Sequence, residues 1–301
     1  MTRSGSPTPA AGRRRRGPLL LALGVVAVAG LAGAAVLVGS LRDGGTTSAA
    51  PTAGPPACGA GSDRDCGPTD GDLRFDTSLT SADGRSVPYS VSLPADYFSD
   101  CRDYPVLFAL HGRGNSNATF LPQAERLRDA VDAGALTDVV IVTPDSAGDG
   151  RWEGRYDTDV FDELIPHVEQ TYRVQPGAEN RLLVGWSMGG HGAFRFGLEH
   201  PDDFAAVWAV DGAMSREPTD YLEFLDRVRA VEPRITSVGG NLNGDRVEEV
   251  IDLFAAEGVE FPYERLPLDH EFGAFVDADR DAGWPTLRWM DAQLGSVPAA
   301  G

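Results

Sequence analysis

Residues 182–192 read LLVGWSMGGHG, and how this stretch folds decides how the rest of the chain must. An apolar run, 182–184, ends in Gly185-Trp186-Ser187-Met188-Gly189, and small residues lead on into a helix-like pattern through His200. The spacing predicts a strand, a tight turn and a helix, with Ser187 at the apex. Such a turn is so sharp that its central residue takes a strained conformation. A side chain at either flanking glycine would collide with the neighbouring strand or helix. Ser187 is then held clear of the sheet, with a helix N-terminus behind it to favour negative charge. The pentapeptide alone also fits a glycine-rich turn carrying an incidental serine. The surrounding chain weighs against that.

Outward from this turn, short apolar runs alternate with helical spacings. Residues 73–80 and 86–93 flank Ala82-Asp83-Gly84, a hairpin signal. Buried-strand runs follow at 105–110, 138–143, 181–186, 205–210, 234–238 and 261–266. Helical spacing occupies 118–133, 157–172, 220–230, 246–257 and 284–294. This alternation predicts an α/β fold, a mostly parallel sheet with helices on both faces and an antiparallel hairpin at one edge. In such sheets chemistry gathers at the carboxyl ends of the strands. His111-Gly112-Arg113-Gly114, Ser187, Asp211, Asp245 and His270 all fall at such ends.

A serine hydroxyl needs a base, and five histidines compete for that role. His111 precedes a glycine-rich loop and reads as structural. His167 lies mid-helix, His191 is one turn beyond Ser187 and directed away, and His200 sits at a helix end before Pro201. His270 alone lies in a loop after the last strand, in the chain order Ser…Asp…His. For the orienting acid, Asp245 follows the penultimate strand and is the first choice, with capping of the next helix as its rival role. Asp211, ending the preceding strand, is the alternative. Asp269, adjacent to His270, would need an awkward chain reversal. The oxyanion donors are expected to be the N–H groups of Met188 and Arg113. Trp152, Tyr156 and Trp186 are candidate pocket residues, with plain packing as an equal reading of Trp152. The run 277–281, Asp-Ala-Asp-Arg-Asp, lacks the spacing of a calcium loop and reads as a solvated face. Neither a metal nor a cofactor is called for.

The charge is lopsided. All 26 basic residues are arginine, five of them within residues 1–41, where there is no acid, and 45 acids give a net −19. A body this acidic repels phosphate backbones and makes nucleic acid a poor partner. Residues 17–41 are uncharged and follow Arg13, Arg14, Arg15 and Arg16, which reads as a signal peptide or an N-terminal membrane anchor with the body exported. The paired arginines faintly resemble a twin-arginine signal. Residues 42–72 read as a flexible linker, 73–295 as the folded domain and 296–301 as a disordered tail. Outside the cytoplasm one disulfide among Cys58, Cys66 and Cys101 is expected, and Cys66–Cys101 would tie the linker to the sheet.

The segments YPVLFALHGRG (104–114), DELIPHVEQTYRV (162–174), LLVGWSMGGHGAF (182–194), HPDDFAAVWAVDG (200–212) and DHEFGAF (269–275) together resemble the putative-esterase family of α/β-hydrolases. That family includes feruloyl and acetyl esterases, S-formylglutathione hydrolases and mycolyltransferases of the antigen 85 type. The resemblance covers about residues 73–295 and implies an α/β-hydrolase fold; few residues separate the strand ending near Val210 from the next helix, so no large lid is expected there. It places the nucleophile on Ser187, the base on His270 and the oxyanion donors on Arg113 and Met188. The chain departs at the acid, since Asn241, Leu242 and Asn243 stand where family members often carry it and Asp245 comes late. Together these features predict an exported serine esterase acting on bulky, polymer- or lipid-linked esters. An acyltransferase with the same triad and a catalytically silent binding protein are the alternatives.

Overall fold

The computed structural model describes residues 70–296. The apolar stretch 17–41, the linker up to residue 69, Cys58, Cys66 and residues 297–301 lie outside the described residues. The readings of a leader or anchor, a tether, a tail and a disulfide through Cys58 or Cys66 fall there. Among the described residues no helix is long and apolar enough to cross a membrane.

The strands are β1 (Arg74–Thr80), β2 (Ser86–Ser92), β3 (Val106–Leu110), β4 (Val140–Pro144), β5 (Arg181–Trp186), β6 (Ala206–Val210), β7 (Ile235–Gly239) and β8 (Tyr263–Arg265). They form one sheet in the order β1-β2-β4-β3-β5-β6-β7-β8. β1 and β2 form the expected antiparallel hairpin, β2 pairs antiparallel with β4, and every later pairing is parallel. β3, β4 and β6 are buried at every position because helices cover both faces. Successive residues alternate between two cores. Phe108 and Leu110 join Trp152 and Phe194 on one face, whereas Leu107 and Ala109 join Trp208 and Leu287 on the other.

β3 has β4 on one side and β5 on the other, so strand order reverses here and leaves a crevice beyond the carboxyl ends. The register Leu110↔Gly185 brings the end of β3 level with the end of β5. The helix Met188–Glu199 leaves β5 at once and lies against the sheet through glycines. A Cβ on Gly185 would stand 2.0 Å from the Gly189 carbonyl oxygen, and one on Gly189 2.0 Å from that of Leu110. The collision expected at both flanking glycines is therefore present, with the helix on one side and a strand on the other.

Two local features differ from the sequence reading. The helix expected over 118–133 is Asn117–Ala124, a 3-10 turn at Glu125–Leu127 and Arg128–Asp132. The acidic run 277–281 is not a solvated face throughout. It ends the helix Phe272–Asp281, and the buried Asp279 carboxylate accepts from the N–H groups of Thr286 (2.8 Å) and Leu287 (3.3 Å). That carboxylate caps the helix Pro285–Asp291 from outside.

Gly189→Ala should lower stability by about 1–3 kcal/mol or more through overpacking against backbone. Gly134→Ala meets no atom within 4 Å and strains only a φ of 65°, so it should cost less. Thermal unfolding of the two variants checks this; equal shifts in Tm would contradict it.

Candidate active site

Ser187 stands between β5 and its helix with φ 59° and ψ −116°, a conformation an L-residue adopts only when its surroundings enforce it. Three backbone hydrogen bonds do so. Ser187 N–H donates to Val210 O (3.0 Å), and Ser187 O accepts from Ala213 (2.8 Å) and His191 (3.0 Å). The hydroxyl Oγ lies 2.8 Å from Nε2 of His270, which sits in the loop between β8 and the helix Phe272–Asp281. Nδ1 of the same ring lies 2.5 Å from Oδ2 of Asp211. With Nδ1–H donated to that carboxylate, Nε2 is left to accept the serine proton. The His270 ring rests on Trp186, with centroids 4.8 Å apart.

Asp211 directly follows β6, is wholly buried and has φ 42°. A buried carboxylate is costly unless its oxygens are engaged. Oδ1 accepts from the N–H groups of Gly240 (2.8 Å) and Asn243 (3.3 Å), and Oδ2 accepts from His270 Nδ1–H. The Asn243 amide also donates to Asp211 O (2.8 Å).

Asp245, the first choice for the acid, is corrected by this geometry. It lies in the first turn of the helix Gly244–Ala256, its side chain is 96% exposed, and it pairs with Arg265 at 2.9 Å. The 240–243 turn folds back over the end of β6, so its N–H groups face Asp211 while the residue two positions later points to solvent. The signal was available in the sequence: an acid ending the all-apolar strand AVWAV and followed by glycine must be buried, and a buried acid needs a partner.

The other expected positions divide. A Cβ on Gly112 would stand 2.8 Å from the Trp186 ring and 3.2 Å from Ser187 Cβ, so the loop after β3 runs directly against the serine. This brings the next N–H, that of Arg113, beside it, while Met188 N–H opens the helix. No backbone carbonyl among the described residues takes either. His111 is structural, as expected. Its Nδ1–H donates to Gly112 O (2.9 Å) and Nε2 accepts from Ser146 N–H (3.0 Å), joining two loops. Trp152 is not a pocket residue. It is fully buried against Gly192, and its indole N–H donates to His111 O (3.2 Å). Tyr156 lies under the Arg155 guanidinium and against Gly150, and Trp186 is sandwiched between Phe120 and His270. Neither lines the cleft.

His191 does more than the sequence reading allowed. Burial pushes its pKa below the ordinary histidine range. The neutral ring donates Nε2–H to Glu153 (2.9 Å) and accepts the Tyr221 hydroxyl on Nδ1 (2.5 Å). The histidine hydrogen bond in turn holds the Glu153 carboxyl below its usual value. Tyr221 OH accepts from Ser215 N–H (3.1 Å), so His191 ties the loops after β4 and β6 together. Asp157, Glu199 and His200 also converge, but the cation among them is Arg195, 2.7 Å from Glu199.

Beside Asp211 opens a cleft of about 850 Å³ whose walls include Ala213, Met214, Leu242 and Asn243 together with several charged side chains. Ser187 and His270 are not among its walls; Ala213, whose N–H holds Ser187 O, links it to the serine turn.

Residues 80–220 match the family model described as putative esterase. An esterase of Mycobacterium tuberculosis (strain H37Rv) is 30% identical over 145 residues, 45% of this chain. The chain spans 31% of that relative's length. Among solved structures, a ferulic acid esterase is similar with a TM-score of 0.63 at 23% identity, over 73% of this chain and 98% of its own. An S-formylglutathione hydrolase from Staphylococcus aureus has a TM-score of 0.58 at 18% identity, over 72% and 95%. These likenesses show the α/β-hydrolase fold.

The two aspartates separate in a labelling experiment. Asp211→Asn should slow fluorophosphonate attachment to Ser187 by about 10³–10⁴-fold, whereas Asp245→Asn should leave it within about twofold. Intact mass against time reads both; slowing by Asp245→Asn alone would refute the assignment.

Proposed function

We propose that this chain, whose residues 80–220 match the putative-esterase family model, is a serine esterase working through Ser187, His270 and Asp211. The observation that carries the reading is the unbroken relay from Ser187 Oγ to His270 Nε2 (2.8 Å) and from His270 Nδ1 to Asp211 (2.5 Å). His270 Nε2 takes the hydroxyl proton as Oγ bonds to the ester carbonyl carbon. The carbonyl oxygen, now an anion, accepts from the N–H groups of Arg113 and Met188, each such donor being worth about 3–4 kcal/mol. Collapse breaks the carbon–oxygen bond, and His270 passes its proton to the departing alcohol. Water then attacks the acyl-enzyme, gives a proton to His270 and frees the acid, and the proton returns to Oγ. Asp211 stays ionised, holds the ring in one tautomer and stabilises the imidazolium.

The connection between β6 and the 3-10 turn Pro218–Phe224 is only residues 211–217, too short for a lid. With the charged, open cleft, this supports bulky, polymer-linked esters over small apolar ones. The basic, then apolar, N-terminus supports export, with residues 17–41 either cleaved or kept as a tether to the outer face of the membrane.

On p-nitrophenyl acetate the protein should show a stoichiometric burst of p-nitrophenolate followed by slower turnover. Ser187→Ala and His270→Ala should each lose about 10⁶ in kcat, as an interdependent set does. Variants that hydrolyse as fast as the parent would sink the reading.

A further inference from the structure

Four arginines reach the cleft from four separate connections. Arg113 comes from the loop after β3, Arg151 from that after β4, Arg216 from that after β6 and Arg246 from the helix after β7. Positions so far apart in sequence do not form a local charge run; the fold assembles them at one place. They do so in a chain of net charge −19, where a surface sampled at random is acidic.

Four carboxylates also line the cleft, but each has a donor of its own. Glu153 accepts from His191, Asp220 from the Ser215 hydroxyl (2.9 Å), Asp245 pairs with Arg265 from outside the cleft, and Glu249 pairs with Arg246 (2.9 Å). The guanidinium groups are less fully matched. Arg216 makes no ion pair among the described residues, and its carbonyl accepts from Arg246 (3.2 Å). Arg151 reaches Glu153 only at 3.5 Å. Arg113 pairs with Asp149 at 3.0 Å, both side chains being more than 60% exposed, and such pairs contribute little and exchange readily. Three arginines therefore present donors to the cleft, one of them on the residue whose N–H faces the reacting carbonyl.

We infer that the cleft selects esters carrying a carboxylate, bound by Arg216 and Arg151 with Arg113 at the end nearest Ser187. The planar guanidinium matches a carboxylate with two parallel hydrogen bonds, which a neutral ester cannot supply. The acidic body repels anions at long range, so the effect is one of retention in the cleft and not of steering. This inference rests on the esterase reading for its turnover but not for its binding.

The test pairs kinetics with binding. For p-nitrophenyl butyrate and the p-nitrophenyl monoester of glutaric acid, Arg216→Gln and Arg151→Gln should each lower kcat/KM at least about tenfold on the anionic ester and less than about twofold on the neutral one. Salt at about 0.5 M should erode the same preference. In calorimetry with Ser187→Ala, monobutyl glutarate should bind, and adding Arg216→Gln should weaken it by a similar factor. Equal losses on both esters, or unchanged binding in the double variant, would overturn the inference. Arginine-dependent binding without any hydrolysis would retain it and remove the esterase reading.

Discussion

The buried contact between Asp211 and His270 is the constraint on which the rest of this structure depends. Asp211 carries a charge at the end of a strand from which water is excluded, and such a charge is tolerated only when every oxygen is engaged. Its partners come from two other connections, the 240–243 turn after β7 and the loop after β8. Ser187 O and Val210 O complete the fastening from β5 and β6. Four successive parallel strands are thus joined at their carboxyl ends by one ionised group and its neighbours. The same bonds that make the carboxylate tolerable aim the imidazole at the serine.

Sequence periodicity revealed the sheet because buried parallel strands must be apolar at both alternations, as VLFAL and AVWAV are. Ser187 and His270 were legible from position, since each stands just beyond a strand and few residue types can do their work. The acid was less so: the apolar strand ahead of Asp211 marks it for burial, but that Asp245 is left in solvent depends on which way the 240–243 turn folds. Both are strand-end acids; only burial separates them. Trp152 illustrates the converse, an aromatic in a loop near the site that the fold turns inward against Gly192. The helix Phe272–Asp281 shows no sustained helical period in the sequence because its buried apolar residues, Phe272, Phe275 and Val276, all fall in its first half and its second half is mostly charged.

His191 shows how a side chain pointing away from the serine still bears on the site. Its ring bridges Glu153 and Tyr221, which belong to the connections after β4 and β6. Both loops supply walls of the cleft. Burial keeps the ring neutral, and a neutral ring has one donor and one acceptor, which is what these two partners require. Charging it would remove the acceptor that Tyr221 uses.

The 240–243 turn serves two masters. Gly240 and Asn243 hold the acid, whereas Leu242, two-thirds exposed, faces the cleft. Descendants of this sequence are therefore free to change what they accept at position 242 while the positions either side of it are held by the chemistry. A single turn separates what can drift from what cannot, and a library confined to residue 242 and the arginines around it would explore new substrates without touching the machinery beneath.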